Sequence, residues 1–394
     1  MAREPQSAPG RLTTIVAGWQ ARRIEDPVAR LHFLRHSLGD RRVWDVPRLA
    51  RQEWKRRKIV WAAAGCGLLL LPAGAWKGNG VLWDRAPVLT AQASERDANY
   101  IPSVWLVEQG TEREEYSNGL RIERRYETSL TPREYVVFQR GREDRGASAA
   151  RTAPAGIVFH STESAQTEFQ PDQTRRMRII GTALLEFVRQ EHAYHYVVDR
   201  FGRVWRIVRE SDIANHAGHS VWADRDTTYL NLNRSFLGIS VEALTDPSAG
   251  QSQVTPAQVH ALRVLTEMLR SKYRISAQNC VTHAQVSVNP GNMQAGYHYD
   301  WAVGFPYAQV GLPDNYAAAL PSIWLFGFSY DPSLVKVTGE PFWRGLVLGE
   351  EQLRQNATAH GLSLEAYRGL LEKRYRQILS TLSANNVKAK EREG

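Results

Sequence analysis

Two histidines and an aspartate in the middle of the chain have the chemical character of metal ligands. His160 ends the apolar run GIVF, His283 ends the run CVT, and Asp300 lies in the loop beyond. A catalytic zinc ion takes three protein ligands from His and Asp/Glu and keeps a fourth position open for water. Taken singly, either histidine could be a hydrogen-bonded core residue and Asp300 a surface residue. Together they predict a zinc site suited to hydrolysis.

Strands and helices alternate around these three residues. The runs GIVFH, FLGISVEAL and NCVTH predict strands, and AYHYVVDRFGRVWRIV predicts two strands joined by a turn at Phe201-Gly202. RRMRIIGTALLEFVRQE has apolar residues at helical spacing, and Thr255 with Pro256 predicts the start of a second helix. This order predicts an α/β fold with a central mixed β-sheet flanked by helices. Neighbouring strands that end together would place the two imidazoles within reach of one ion.

The composition of the whole chain narrows the choice of partners. The 394 residues carry a net charge of +9 and a pI of about 9.6, which favours an anionic partner. Nucleic acid, an acidic membrane surface and a carboxylate-rich polymer all qualify on charge alone. No recognised nucleic-acid-binding motif is present, so we expect no nucleic-acid partner. Cys66 and Cys280 lie in very different contexts, so no disulfide framework is expected.

The N-terminal part of the chain predicts a membrane anchor. Residues 1–58 form a basic tail, and residues 59–76 contain no charged residue and are flanked by tryptophans. The basic cluster before the span puts the N-terminus in the cytoplasm. A single-pass protein of the bacterial inner membrane with a periplasmic domain is therefore predicted. A buried core helix, a signal peptide cleaved after residues 73–75 and a twin-arginine signal at 56–57 are the alternatives.

Three segments follow the predicted span. Residues 77–154 contain short strand-like runs and an Asn-Gly turn signal at Asn118-Gly119, which predicts a β-rich connector. Residues 155–312 hold the predicted catalytic domain. Residues 313–394 end in the amphipathic run LSLEAYRGLLEKRYRQILSTL, which predicts a C-terminal helical extension.

Five motifs in residues 155–312 resemble a known family when they are taken in order. The chain is similar there to zinc-dependent N-acetylmuramoyl-L-alanine amidases of the type 2 and peptidoglycan recognition protein family. Each motif is weak alone, and their shared order makes the resemblance specific. The motifs are GIVFHST, AYHYVVDRFGRVWRIV, NHAGHS, NRSFLGISVE, and VTHAQVS followed by YHYD.

The resemblance implies a fold, a cofactor and a reaction. The fold would be that of peptidoglycan recognition proteins, with Zn²⁺ bound by His160, His283 and Asp300. Zinc-activated water would then cleave the amide bond between N-acetylmuramic acid and L-alanine, with peptidoglycan or muropeptides as the partner. A non-catalytic module of the same fold that only binds peptidoglycan is the alternative. The oligomeric state stays open.

The resemblance also implies roles around the metal. Tyr194 corresponds to a tyrosine that lines the site, and strand alternation would put Tyr196 on the same face. His298 stands where the family often has Lys or Thr, two positions before Asp300. Tyr194 and His298 are therefore candidates for stabilising the oxyanion, and His298 also for protonating the leaving amine.

Strand FLGISVE departs from the family at the position of a catalytic glutamate. This chain has Ser240 there, with Glu242 on the same face two residues on, so Glu242 is the alternative catalytic base. The resemblance further implies that His216, Asn233 and Ser240 contact the substrate, although as a lone histidine His216 could equally be a packing residue. The run between His283 and Asp300 is longer than is usual in the family, which indicates an insertion.

Overall fold

The structure is a computed structural model that describes residues 100–101, 103–143, 146–246, 254–330 and 332–393. The predicted basic tail at 1–58 and the predicted membrane span at 59–76 lie outside these ranges. Within them, none of the helices combines the length and the apolar character that crossing a bilayer requires. The anchor therefore stays a prediction.

Short strands dominate the first half of the described chain. In chain order they are β1 (Leu106–Gln109), β2 (Arg113–Tyr116), β3 (Arg121–Glu123), β4 (Phe138–Gln139), β5 (Gly156–Ser161), β6 (Tyr196–Val198), β7 (Val204–Arg206), β8 (Val221–Ala223), β9 (Thr227–Leu230), β10 (Phe236–Val241), β11 (Cys280–Thr282), β12 (Val288–Asn289) and β13 (Gln294–Ala295). The predicted strand pair after residue 193 is confirmed as β6 and β7, and it is shorter than its apolar run.

Helices cover the sheet and form most of the C-terminal part. They are α1 (Thr174–Gln190), α2 (Leu232–Ser235), α3 (Pro256–Tyr273), α4 (His283–Val286), α5 (Pro321–Phe326), α6 (Pro332–Val337), α7 (Glu340–Ala359) and α8 (Leu364–Glu393). Thr255 caps α3 as predicted. Its hydroxyl accepts a hydrogen bond from the Gln258 backbone N at 3.1 Å, and Oε1 of Gln258 accepts one from the Thr255 backbone N at 3.0 Å.

The central sheet is mixed, as predicted. Its order is β1-β2-β3-β7-β6-β10-β5-β11. Strands β6, β10, β5 and β11 are parallel neighbours, whereas β7 runs antiparallel to β6. Strands β1 to β3 come from the connector and extend this sheet through a parallel pairing of β3 with β7.

Both faces of the sheet are covered by a long helix. On β6, Tyr196 and Val198 belong to the core cluster that includes Leu262 of α3. Val197 lies between them in sequence and belongs to the cluster that includes Leu184 of α1. Because side chains alternate along a strand, α3 and α1 pack on opposite faces. This arrangement confirms a mixed sheet flanked by helices.

Strand β5 lies inside the sheet and carries His160. All six of its residues are buried, and it pairs in parallel with β10 on one side and β11 on the other. A continuous apolar run is typical of a parallel strand that is covered on both faces. The predicted strand GIVFH is confirmed, and its continuous apolar run accounts for its place inside the sheet.

The C-terminal helices pack on the hairpin formed by β12 and β13. Tyr375 of α8 lies between Phe326 and Phe328, with ring centroids 5.2 and 4.9 Å away. The same core cluster contains Val288 and Met293 from the hairpin region. The helices thus support the segment that leads to Asp300.

Candidate metal centre

His160 lies near the carboxyl end of β5 and is fully buried. Ile157 and Phe159 belong to the core cluster on the α3 side, and Val158 belongs to a different cluster. Strand alternation therefore points His160 to the same face as Val158. The parallel register places His160 beside Ser240 of β10.

His283 lies beside His160 because two parallel strands end together. It is the first residue of α4, directly after β11, whose Thr282 is in register with Phe159 of β5. The two imidazole centroids are 4.5 Å apart. The sequence-based expectation that neighbouring strand ends would bring these histidines together is confirmed by this geometry.

Asp300 completes the cluster from a distant loop. Its Oδ1 lies 2.8 Å from Nδ1 of His283, and its Oδ2 lies 3.3 Å from Nδ1 of His160. One ligand atom from each of the three residues falls within 4.8 Å of the others. The exposed fraction is 0% for His160, 1% for His283 and 4% for Asp300. The structure thus brings all three predicted ligands together.

The donor set fits a zinc ion. Apart from their contact with each other, Nδ1 of His160 and Oδ2 of Asp300 are buried without a hydrogen-bond partner in the described part of the chain. Buried polar atoms left unsatisfied cost about 1–3 kcal/mol each, so such atoms mark a site for a ligand or ion. Imidazole nitrogen and carboxylate oxygen are common zinc donors.

The electrostatics of the cluster suit metal binding. Burial, together with the neighbouring His283 imidazole, lowers the pKa of His160 to about 4. Burial alone would raise the pKa of Asp300, but His283 and His160 hold it well below its usual range. A neutral imidazole and an ionised carboxylate are the forms that coordinate metals.

His298 and Tyr194 border the cluster. The His298 ring is partly buried and stacks on His283, with centroids 4.6 Å apart and planes 22° apart. The Tyr194 ring lies 5.1 Å from the His160 ring. Both rings therefore border the cluster, and their roles in catalysis stay predictions.

The expectation that Tyr196 shares a face with Tyr194 is wrong. Tyr194 has a positive φ of 62° and precedes β6, so strand alternation does not apply to it. Tyr196 lies in the core on the opposite face, where its hydroxyl donates a hydrogen bond to Glu210. The left-handed backbone at Tyr194 turns its ring towards His160.

Ser240 and Glu242 are both buried on β10 or directly after it. Ser240 is in register with His160, and its Oγ has no hydrogen-bond partner among the described residues. Glu242 accepts a hydrogen bond from the backbone N of Arg200 at 3.1 Å, and its carboxylate packs against Gly181 of α1. Burial raises the pKa of Glu242 to about 7. Its part in catalysis stays a prediction.

His216 lies beside His160, and Asn233 is hydrogen-bonded to the His216 backbone. Oδ1 of Asn233 accepts hydrogen bonds from the backbone N of His216 at 2.9 Å and of Ala217 at 2.6 Å. The His216 side chain is buried, and its Nδ1 lies 3.1 Å from Nε2 of His160. No local motif in the sequence reveals this contact. Substrate contacts by His216 and Asn233 stay predictions.

Comparison with known proteins defines the class of the domain. Residues 150–295 match the family described as N-acetylmuramoyl-L-alanine amidase. This part of the chain carries a domain of the N-acetylmuramoyl-L-alanine amidase family, which confirms the resemblance seen in the motifs. The matched residues include His160 and His283 and end before His298 and Asp300.

Relatives from two bacteria illustrate the similarity. The curated amidase AmiD of Escherichia coli (strain K12) is 36% identical over 89 residues, which are 22% of this chain and 31% of AmiD. The chain thus spans about a third of that relative. The structure of AmiD from E. coli in complex with its substrate, anhydro-N-acetylmuramic acid-L-Ala-D-γ-Glu-L-Lys, is 24% identical, covers 38% of this chain and 57% of AmiD, and has a TM-score of 0.28. The structure of AmpDh3 from Pseudomonas aeruginosa in complex with anhydromuramic pentapeptide is 21% identical. The similarity covers 55% of this chain and 72% of AmpDh3, with a TM-score of 0.31.

Proposed function

We propose that this protein is a zinc-dependent amidase that cleaves the bond between N-acetylmuramic acid and L-alanine in peptidoglycan or its fragments. The observation that carries the proposal is the buried cluster of His160, His283 and Asp300, in which two polar atoms have no hydrogen-bond partner beyond their contact with each other in the described part of the chain. The family match to residues 150–295 supports the reaction class.

The three ligands would hold the cofactor from two sides. His160 and His283 project from the ends of β5 and β11, and Asp300 closes the cluster from its loop. When bound, zinc supplies a Lewis acid and lowers the pKa of a coordinated water to about 7. Asp300 is the anionic member of the set, so it offsets part of the metal charge.

His298 is our candidate for proton transfer. It stacks on His283 at the edge of the cluster and is partly exposed, so solvent and substrate can reach it. Histidine side chains change protonation near neutral pH, which suits a group that protonates a leaving amine. Tyr194, beside His160, would donate a hydrogen bond to the oxyanion that forms on the attacked carbonyl.

A muropeptide substrate agrees with the chemistry of the chain. AmiD and AmpDh3 are described in complex with anhydromuramic peptides. The net charge of +9 favours a polymer that bears peptide carboxylates. We also propose that residues 59–76 anchor the protein in the inner membrane and leave the amidase domain in the periplasm. Protease accessibility of residues 155–312 in spheroplasts tests this orientation, and protection of the domain would refute it.

A non-catalytic peptidoglycan-binding module is the second candidate. Ser240 occupies the position beside His160 on β10 where some relatives are expected to carry a glutamate, so β10 contributes no carboxylate at that register. Loss of this group would leave a domain that binds muropeptides without cleaving them. Turnover and binding assays on the same preparation separate the two candidates.

Purified protein incubated with defined muropeptides tests the proposal directly. We expect release of the free stem peptide, detected by mass spectrometry. Chelation should abolish the release and added zinc should restore it. His160→Ala should lose activity, whereas His260→Ala, which changes an exposed histidine on α3, should keep it. Binding without release by the zinc-loaded protein would favour the second candidate, and undiminished release by His160→Ala would refute the mechanism.

A further inference from the structure

A buried row of three histidines extends inward from the metal cluster. The ring of His216 lies 5.2 Å from that of His160 and 5.7 Å from that of His195, measured between centroids. Their exposed fractions are 0% for His160 and His195 and 2% for His216. A row of this kind needs a definite placement of protons, because each ring nitrogen either donates or accepts.

A backbone carbonyl beside the middle ring of the row fixes the proton on His216. Nε2 of His216 lies 3.3 Å from the carbonyl oxygen of Phe236, which can only accept a hydrogen bond. The proton of a neutral His216 ring therefore sits on Nε2, and its Nδ1 is an acceptor. His216 makes no ion pair with a carboxylate in the part of the chain that the structure describes, so a neutral ring is the favoured form.

This placement determines which nitrogen of His160 is free to bind a metal. Nδ1 of His216 lies 3.1 Å from Nε2 of His160, so Nε2 of His160 must donate the hydrogen bond. The remaining lone pair of His160 is on Nδ1. That atom lies 3.3 Å from Oδ2 of Asp300, on the side of the other two ligands.

Two neighbours hold the His216 ring in place. Asn233 binds the backbone N of His216 at 2.9 Å. Gly238 of β10 leaves the space that the ring fills, because a Cβ there would lie 2.6 Å from Cγ of His216. The acceptor atom that faces His160 is thus fixed by backbone and packing.

We propose that His216 is a positioning residue that holds His160 in the tautomer with its proton on Nε2 and its lone pair on Nδ1, aimed at the metal. The role rests on the proposed zinc function. Partners of this kind orient a ligand and raise its basicity, and their loss typically costs about 10–100-fold in metal affinity.

The tautomer can be measured without metal. Long-range ¹H–¹⁵N correlation spectra of the metal-free protein report the protonated nitrogen of each histidine, and His160→Ala and His216→Asn assign the signals. We expect His216 to carry its proton on Nε2, which leaves its Nδ1 as the acceptor that faces His160. A proton on Nδ1 of His216 would overturn the proposal.

A matched pair of variants tests the effect on the metal. His216→Leu removes the acceptor, whereas the carboxamide oxygen of His216→Asn can replace Nδ1 in a side chain of similar size. Zinc affinity by competition with a chromogenic chelator should fall about 10–100-fold in His216→Leu and stay near the wild-type value in His216→Asn. Wild-type affinity in His216→Leu, or equal losses in both variants, would contradict the acceptor role.

Gly238→Ala gives an independent test if His216→Leu does not fold. The added methyl group should displace the His216 ring and weaken zinc binding while residues 160, 283 and 300 are unchanged. A wild type that takes up no zinc would refute the proposed function. The nitrogen spectra of the metal-free protein would still decide the tautomer of His216, and with it whether its Nδ1 can accept a hydrogen bond.

Discussion

Glu242→Gln should stabilise the protein at alkaline pH and leave its stability unchanged at acidic pH. The Glu242 side chain is 3% exposed, and burial raises its pKa to about 7 from the usual 4.5. Glutamine imitates the protonated form in shape and can still accept the hydrogen bond from Arg200 N. The variant therefore removes the ionisation and keeps the packing against Gly181.

The sign and size follow from the difference between the two pKa values. Between pH 4.5 and 7 the folded protein binds more protons at Glu242 than the unfolded chain does, so the wild-type free energy of unfolding falls as pH rises. Below pH 4.5 the carboxyl group is protonated in both states and has no effect. Each pKa unit corresponds to about 1.4 kcal/mol, so the full penalty above pH 7 is about 3 kcal/mol.

Denaturant unfolding at pH 4 and at pH 8 measures this difference. The stability gain of Glu242→Gln over wild type should be near zero at pH 4 and about 3 kcal/mol at pH 8. Glu186→Gln is the matched control, because Glu186 is exposed on α1 and should change stability by less than about 0.5 kcal/mol. An equal gain at both pH values, or a loss at pH 8, would refute the buried-carboxylate reasoning. Amidase activity of Glu242→Gln decides its catalytic role, since a general base would not tolerate the change.

Two further predictions concern the metal cluster itself. Asp300→Asn keeps the shape of the side chain but removes the carboxylate that faces His160 and His283, so zinc affinity by calorimetry should fall by more than about 100-fold; an unchanged affinity would remove Asp300 from the ligand set. His298→Ala should lower kcat by about 10²–10⁴-fold with zinc content preserved, because the ring stacks on His283 from outside the ligand set. A normal kcat would exclude His298 as the proton donor.

Local signals in the sequence predicted the elements that hold the two histidines. The apolar run before His160 has the composition of a strand buried on both faces, and β5 has that place in the sheet. The hydroxyl and proline at Thr255-Pro256 predicted the start of α3, where the structure has a capping box. Such signals depend on a few neighbouring residues, so they can be identified without knowing the rest of the fold.

Features that depend on distant contacts could not be predicted in this way. The direction of the Tyr194 side chain depends on a left-handed φ at a non-glycine residue. Strand periodicity does not predict such a φ. The contact between His216 and His160 arises because a loop passes over Gly238 of β10. The addition of β1 to β3 to the main sheet depends on the pairing of β3 with β7, which hydrophobic patterns do not specify.

The long run before Asp300 is organised as a separate packed unit. Strands β12 and β13 form a hairpin within it, and the hairpin lies against the aromatic cluster of the C-terminal helices. Backbone contacts join it to its surroundings, since Ala295 N donates to Ser329 O at 2.7 Å and Gly296 N donates to Ser287 O at 2.8 Å. The insertion therefore forms a packed, hydrogen-bonded hairpin and not an unsupported loop.

The attachment of the residues around Asp300 explains how a distant aspartate can serve as a ligand. The backbone O of Asp300 accepts a hydrogen bond from Ala284 N at 3.3 Å, which ties the loop to α4. The next residue, Trp301, donates from its backbone N to Thr245 Oγ1 at 3.0 Å and accepts from the Tyr316 hydroxyl at 2.7 Å. These bonds connect the loop to the end of β10 and to the segment before α5. Since precise ligand geometry depends on such supporting contacts, the length of the insertion does not weaken the case for Asp300 as a ligand.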